Sequence, residues 1–240
     1  MTMILSRNWV IGLAAAILAS PGIAATVKST GDIFLASQPN GTVVTGYFGS
    51  DTARAASPLA FTTTGGVTLT FSASGSTSVD ASCFAGPDGG CYSDQSSFSP
   101  SPASGTYKGP ASALIGVFTG PGTTNVASGA SSIDYTVAGN RSLLTNAPAL
   151  GQIFFIGDGL TDTSVVQQFT SPGGATRLFL AVADSIGASG GNLGSLSVDV
   201  TGATLAAGAI PEPASWALML VGFGVIGTVA RRRRAMVVTA

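Results

Sequence analysis

The sequence predicts an all-β fold, an antiparallel β-sandwich, and three observations carry that expectation. Thirty-three Gly and twelve Pro, with Lys and Glu nearly missing, disfavour helices and suit short strands joined by turns. Seven strand-like runs recur between Gly, Pro, Ser and Asn clusters, at residues 42–48, 67–73, 113–119, 133–137, 152–156, 177–183 and 195–201. Alternation within the last two places Leu178, Leu180 and Val182, and likewise Leu196, Val198 and Val200, on one face of a strand. The expected result is a sandwich with one dry interface. A flexible low-complexity stalk is the competing reading of this composition, and the periodic apolar runs oppose it.

The amino-terminal segment reads MTMILSRNWVIGLAAAILASPGIAA. Arg7 and the terminal amine supply positive charge, residues 9–19 are apolar, and Pro21 and Gly22 break the stretch before small residues. Residues 1–25 are therefore expected to be a secretion signal cleaved after Ala24 or Ala25. An uncleaved N-terminal helix is the alternative, and either one exports the remainder of the chain. Residues 26–66 are expected to hold the first strands of the exported region, ahead of a β-sandwich at 67–205.

Cys83 and Cys91 enclose the loop CFAGPDGGC. In an oxidising compartment two cysteines so placed form a disulfide, worth about 2–3 kcal/mol through its effect on the unfolded chain. A metal site built from two Cys without His is disfavoured.

Charge makes up 9% of residues, and its distribution narrows the function. Outside the two end segments only Lys28, Arg54, Lys108, Arg141 and Arg177 are basic, against ten Asp, so a nucleic-acid footprint is missing. The chain has no His, and its one Glu is Glu212. Most routes to general acid–base or triad chemistry are thereby closed, and no enzymatic activity is expected. Paired Asp residues would be the exception. Asp158 and Asp162, in IGDGLTDT, read either as an acidic cation loop or, preferably, as solvated turn residues.

The carboxyl-terminal segment reads IPEPASWALMLVGFGVIGTVARRRRAMVVTA. In the linker at 206–213, Pro211 and Pro213 hold Glu212 in an extended, hydrogen-bond-poor stretch that a processing enzyme can bind in a cleft. Residues 214–230 are apolar and uncharged, about 25 Å as a helix, which is the short limit of a membrane span. Trp216 sits at one end, at headgroup level, and Arg231, Arg232, Arg233 and Arg234 sit at the other. They predict that residues 231–240 form a cytoplasmic tail.

This segment resembles the PEP-CTERM sorting signal over about 25 residues: Pro211, Glu212 and Pro213, then Ala214, Ser215, Trp216 and Ala217, the apolar span and the Arg cluster. The resemblance implies recognition by an exosortase of Gram-negative bacteria that make exopolysaccharide. It also implies delivery to the cell surface or matrix after transient or stable anchoring in the inner membrane.

Within the exported region, several segments in order resemble the calcium-dependent galactose-binding lectins typified by the PA-I lectin. They are VTLTFSASG from Val67, the turn Gly86-Pro87-Asp88-Gly89, Ala113-Leu114-Ile115-Gly116, Phe155-Ile156-Gly157, and RLFLAVADSIGASGGNLGSLSVDV from Arg177. The resemblance implies a jelly-roll-like sandwich whose last hairpin loop carries oxygen ligands for Ca²⁺. Asp184 and Asn192 occupy matching ligand positions. Ala183, Gly191 and Leu193 stand where the family has an Asn, a second paired ligand and a small polar residue. Ordinary turn chemistry is the competing reading of Asp184 and Asn192. The expected function is an exported, exopolysaccharide-associated, carbohydrate-binding β-sandwich, and the alternative is a non-binding structural component of the matrix or envelope.

Overall fold

The computed structural model describes residues 23–39, 42, 45–46, 49–50, 57–90, 92, 107–121 and 133–206. In chain order its strands begin with β1 (Ile23–Lys28), β2 (Thr45–Gly46), β3 (Gly49–Ser50), β4 (Leu59–Thr62), β5 (Thr68–Ser78) and β6 (Leu114–Thr119). They continue with β7 (Thr145–Asn146), β8 (Ile153–Phe155), β9 (Gln168–Thr170), β10 (Arg177–Val182), β11 (Leu193–Thr201) and β12 (Thr204–Leu205). Helix among the described residues amounts to α1 (Ala138–Arg141) and two 3-10 turns, Ile33–Leu35 and Ser189–Gly191.

Two five-stranded sheets form the body, in the orders β1-β11-β5-β9-β7 and β12-β4-β10-β6-β8, and β2 pairs with β3 in a small separate ribbon. The first sheet obeys its sequence pattern. Leu196, Val198 and Val200 are buried while Ser195, Ser197 and Asp199 face solvent, and the register sets Val200 opposite Phe71 of β5. Phe169 of β9 meets Phe71 edge-on at 5.1 Å and Phe154 of β8 at 5.6 Å, and Phe154 stacks on Phe118 at 5.2 Å. These rings join the two sheets.

The second sheet departs from the expected single dry interface. β6 and β8 are buried at every position, and β10 at every position after Arg177. Leu178, Leu180 and Val182 are buried as expected, but so are Phe179 and Ala181 on the opposite side. That second face is covered from outside the sandwich. The Ile33–Leu35 turn lies against β6 and β10, Ser37 and Thr119 share a hydroxyl hydrogen bond of 3.0 Å, and Tyr135 packs on Phe155 at 5.9 Å with Tyr107 stacked behind it. A strand covered on both faces has no reason to alternate, so residues 177–183 read as a continuous apolar run.

A further sequence expectation needs correction. Residues 133–137 do not form a strand: Asp134 makes one bridge to Lys108, and the chain then turns into α1. The Asp134 carboxylate accepts from the Thr136 N–H at 3.0 Å and from the Thr136 hydroxyl, a side-chain turn that competes with sheet pairing. Ahead of residue 67, β1 pairs with β11 and β4 pairs with β10, one in each sheet. β1 also starts inside the expected leader, with Ile23, Ala24 and Ala25 opposite Val200, Asp199 and Val198. Of the run at 42–48, Thr45–Gly46 forms β2, and much of the remainder lies outside the described residues.

Candidate functional site

One end of the sandwich gathers the residues expected to bind calcium. There β10 stops at Val182, β11 starts at Leu193, and the connection between them is flanked by Asp184 and Asn192. Asp184 is half-buried, and its Oδ1 accepts from the Ser185 N–H at 2.6 Å. Asn192 is buried; its Nδ2 donates to the Ser29 carbonyl at 3.2 Å, which leaves Oδ1 buried without a hydrogen-bond partner. Ser78 Oγ, at the end of β5, and Ser112 Oγ, just before β6, are also buried without partners. Ser78 lies opposite Leu193, and the Ser112 N–H donates to Ala183 O at 2.9 Å, so both belong to this end of the fold.

Asp32 belongs here too, and sequence reasoning missed it. The residue is 1% exposed; its Oδ1 accepts from the Phe34 N–H at 2.8 Å and its Oδ2 from the Gly187 N–H at 3.1 Å. One carboxylate thus ties the Ile33–Leu35 turn to the β10–β11 connection. The available signal was a lone Asp ahead of the apolar Ile33-Phe34-Leu35, where a charged residue needs partners.

The donors at this end are oxygens from a carboxylate, an amide and hydroxyls, a set suited to a hard cation. The buried, unpartnered Asn192 Oδ1 fits that requirement. No group of three or more His, Cys, Asp and Glu side chains that could hold a metal occurs among the described residues. Ala183 is fully buried in the core, and Leu193 is 46% exposed. Neither supplies a side-chain ligand.

A second place on the molecule is a cavity of about 250 Å³. Asp88, Asp158, Asp162 and Arg141 line it, with the hydroxyl residues Ser142 and Thr161 and an apolar surface from Phe155, Leu160 and Ala138. Three loops build it. Asp88 comes from the turn whose Pro87 carbonyl accepts from the Leu114 N–H at 2.7 Å; its own Oδ1 accepts from the Asp158 N–H at 3.0 Å. Asp158 Oδ1 caps the Leu160 N–H at 2.8 Å, and Ser142 donates its hydroxyl to Asp162 while accepting from the Asp162 N–H at 3.0 Å. Arg141 points Nη1 at the Tyr135 and Thr136 carbonyls.

Asp88 stands at the rim, and its carboxyl end lies over Gly157. Gly157 has φ +65°, and a Cβ there would lie 2.2 Å from Asp88 Oδ1. Dehydration at that spot raises the Asp88 pKa above the ordinary carboxylate value. The Asp158 N–H opposes this, the Asp158 charge adds to it, and Arg141 offsets part of it. Asp158 caps its own turn through the Leu160 N–H, as its sequence context implies, whereas the Asp162 carboxylate bonds Ser142 of another loop, and both line this cavity with Asp88. Nothing in the sequence pairs Asp88 with Asp158, seventy positions apart.

Of the expected cysteine pair, Cys83 is described and Cys91 lies outside the described residues. Pro211, Glu212, Pro213, Trp216 and Arg231, Arg232, Arg233 and Arg234 also lie outside them. Among the described residues no helix is long and apolar enough to cross a membrane. Residues 209–234 match the PEP-CTERM protein-sorting motif, and no curated protein matches the chain. The motif points to an exported protein sorted to the cell surface by an exosortase.

Proposed function

We propose that this chain is an exosortase substrate whose β-sandwich binds carbohydrate of the extracellular matrix and does not turn it over. The PEP-CTERM motif at 209–234 carries the reading. Export would begin with cleavage of residues 1–25, and residues 214–230 would hold the chain in the inner membrane until processing near Pro211, Glu212 and Pro213. The carbohydrate-binding part is supported by the likeness of residues 67–201 to the calcium-dependent lectins and by an oxygen-rich loop end. There Asp184 and Asn192 would hold Ca²⁺, and the ion would take up sugar hydroxyls.

Two experiments test this. Mass spectrometry of the chain isolated from its native envelope reads both mature termini; a C-terminus ending before Trp216 is expected, and one that retains Arg231 refutes exosortase processing. Calorimetry of the full-length chain with calcium and a panel of neutral sugars tests binding. Absence of heat with every sugar, with and without calcium, sinks the lectin-like part.

A second reading, a structural matrix component without ligand, is favoured by one observation. Protein groups already organise the loop: Asp32 holds the Gly187 N–H and Ser29 O holds the Asn192 amide. In this reading Asp184→Ala leaves surface attachment unchanged.

A further inference from the structure

We infer that closure of the first sheet seals the leader junction, so that the leader is removed only from a chain whose β1 has not yet paired, and a chain that folds first keeps it. This order of events rests on reading residues 1–25 as a secretion leader, and adds to that reading a competition between folding and processing. The bonds after Ala24 and Ala25, where cleavage is expected, lie inside β1 and not ahead of it. On the leader side of the junction Ile23, Ala24 and Ala25 stand opposite Val200, Asp199 and Val198 of β11. On the other side Thr26, Val27 and Lys28 continue the same ladder opposite Ser197, Leu196 and Ser195. A cut after Ala25 would remove three of these six pairs, so the leader forms part of the sheet that follows it, and the closed sheet favours the uncut chain.

The packing around β1 opposes entry of the junction into a protease cleft. A signal peptidase reads a small side chain immediately before the cut. Ala25, which would supply it, packs against the core, and Val27 on the same face of the strand is 1% exposed. One edge of β1 is occupied by β11, so the backbone groups on that side are closed to a cleft that would bind the segment as an added strand. Just downstream the chain is clamped. The Ser29 hydroxyl donates to the Gly194 carbonyl at 2.8 Å, the Ser29 carbonyl accepts from Asn192 Nδ2 at 3.2 Å, and Asp32 holds the Gly187 N–H at 3.1 Å. To extend through a cleft, the segment must first draw Val27 out of the core and give up its pairs with β11. Cleavage of a folded chain then follows the population of that opened form.

The test uses the full-length chain, unfolded in urea and diluted into detergent. Purified bacterial signal peptidase is added either at once or after refolding, which far-ultraviolet circular dichroism follows, and mass spectrometry reads the new amino terminus. Immediate addition is expected to give chains that begin at Ala25 or Thr26. Addition after refolding is expected to cut at least about a hundredfold more slowly. Val27→Ser leaves the residues before the cut unchanged and weakens the hold of β1 on the core. It is expected to speed cutting of the refolded chain at least about tenfold, with cutting on immediate addition unchanged. Hydrogen exchange on the refolded wild type needs no substitution, and residues 24–28 should exchange slowly. Equal rates of cutting before and after refolding overturn the inference while leaving the leader reading intact. So does exchange across residues 24–28 as fast as in the unfolded chain, and so does a refolded Val27→Ser chain that is cut no faster than wild type. Absence of any cut after Ala24 or Ala25 on immediate addition removes the leader reading, and this order of events with it.

Discussion

Removing the Asp32 carboxylate tests whether one buried acid holds together the end of the sandwich. Asp32 accepts from the N–H of Phe34, two residues away, and of Gly187, 155 residues away. A hydrogen bond to a charged group contributes about 1.5–3 kcal/mol, and a buried donor left without a partner costs about 1–3 kcal/mol. Burial of the charge itself works against these gains, so Asp32→Ala is expected to cost about 4 kcal/mol and not the sum of every contribution. For a domain of this size each kcal/mol lowers the melting temperature by about 2–4 °C, so the variant should melt about 8–16 °C early.

Asp32→Asn sharpens the test. Its one oxygen serves one N–H while its NH₂ faces the other, so about half the loss is expected. Thermal unfolding of the full-length chain, tracked by far-ultraviolet circular dichroism, gives the ranking. Hydrogen exchange at the Gly187 amide reports the long-range bond directly. An Asp32→Ala protein melting within about 3 °C of wild type, with Gly187 still protected, would refute the reasoning.

Other outcomes depend on single contacts. The Tyr92 hydroxyl, then the Ser82 hydroxyl and N–H, hold the Asp80 carboxyl at a pKa of about 2 against 3.8 ordinarily. Because the folded value is the lower one, these contacts stabilise the protein above about pH 3.8 and lose that effect as pH falls toward 2. Tyr92→Phe should move the Asp80 midpoint upward in a carboxyl-carbon NMR titration; an unmoved midpoint removes Tyr92 as the main cause. Gly159 has φ +87°, and a Cβ there would sit 2.0 Å from the Phe71 carbonyl oxygen, so Gly159→Ala should cost about 3 kcal/mol in denaturant unfolding. If Cys83 and Cys91 are bridged in the exported chain, alkylation without reductant should label neither, and Cys83→Ser should cost about 2–3 kcal/mol.

The parts of the fold that could be read in the sequence are those where one strand face meets water. Along β11, Ser195, Ser197 and Asp199 alternate with Leu196, Val198 and Val200, and the burial matches that alternation. β10 was recognisable as a strand but not as one covered twice, because its outer cover includes the Ile33–Leu35 turn, far away in the chain. Apolar content made residues 133–137 look like a strand. The Asp134 side chain, by bonding to Thr136, diverts the backbone there. β4, whose Phe61 is fully buried opposite Leu178, is only four residues long and carries too little pattern to stand out.

By itself the sequence determined the properties that are local or linear. Composition and turn residues made the described residues mostly β, and residues 209–234 match a sorting motif, which is a linear segment. Tertiary structure alone decided which side chains share a site. Asp88 reaches Asp158 across seventy positions, and Asp32 reaches Gly187 across 155. Those meetings arise from strand order and register, and register is fixed by the summed packing of two sheets, which no single segment encodes.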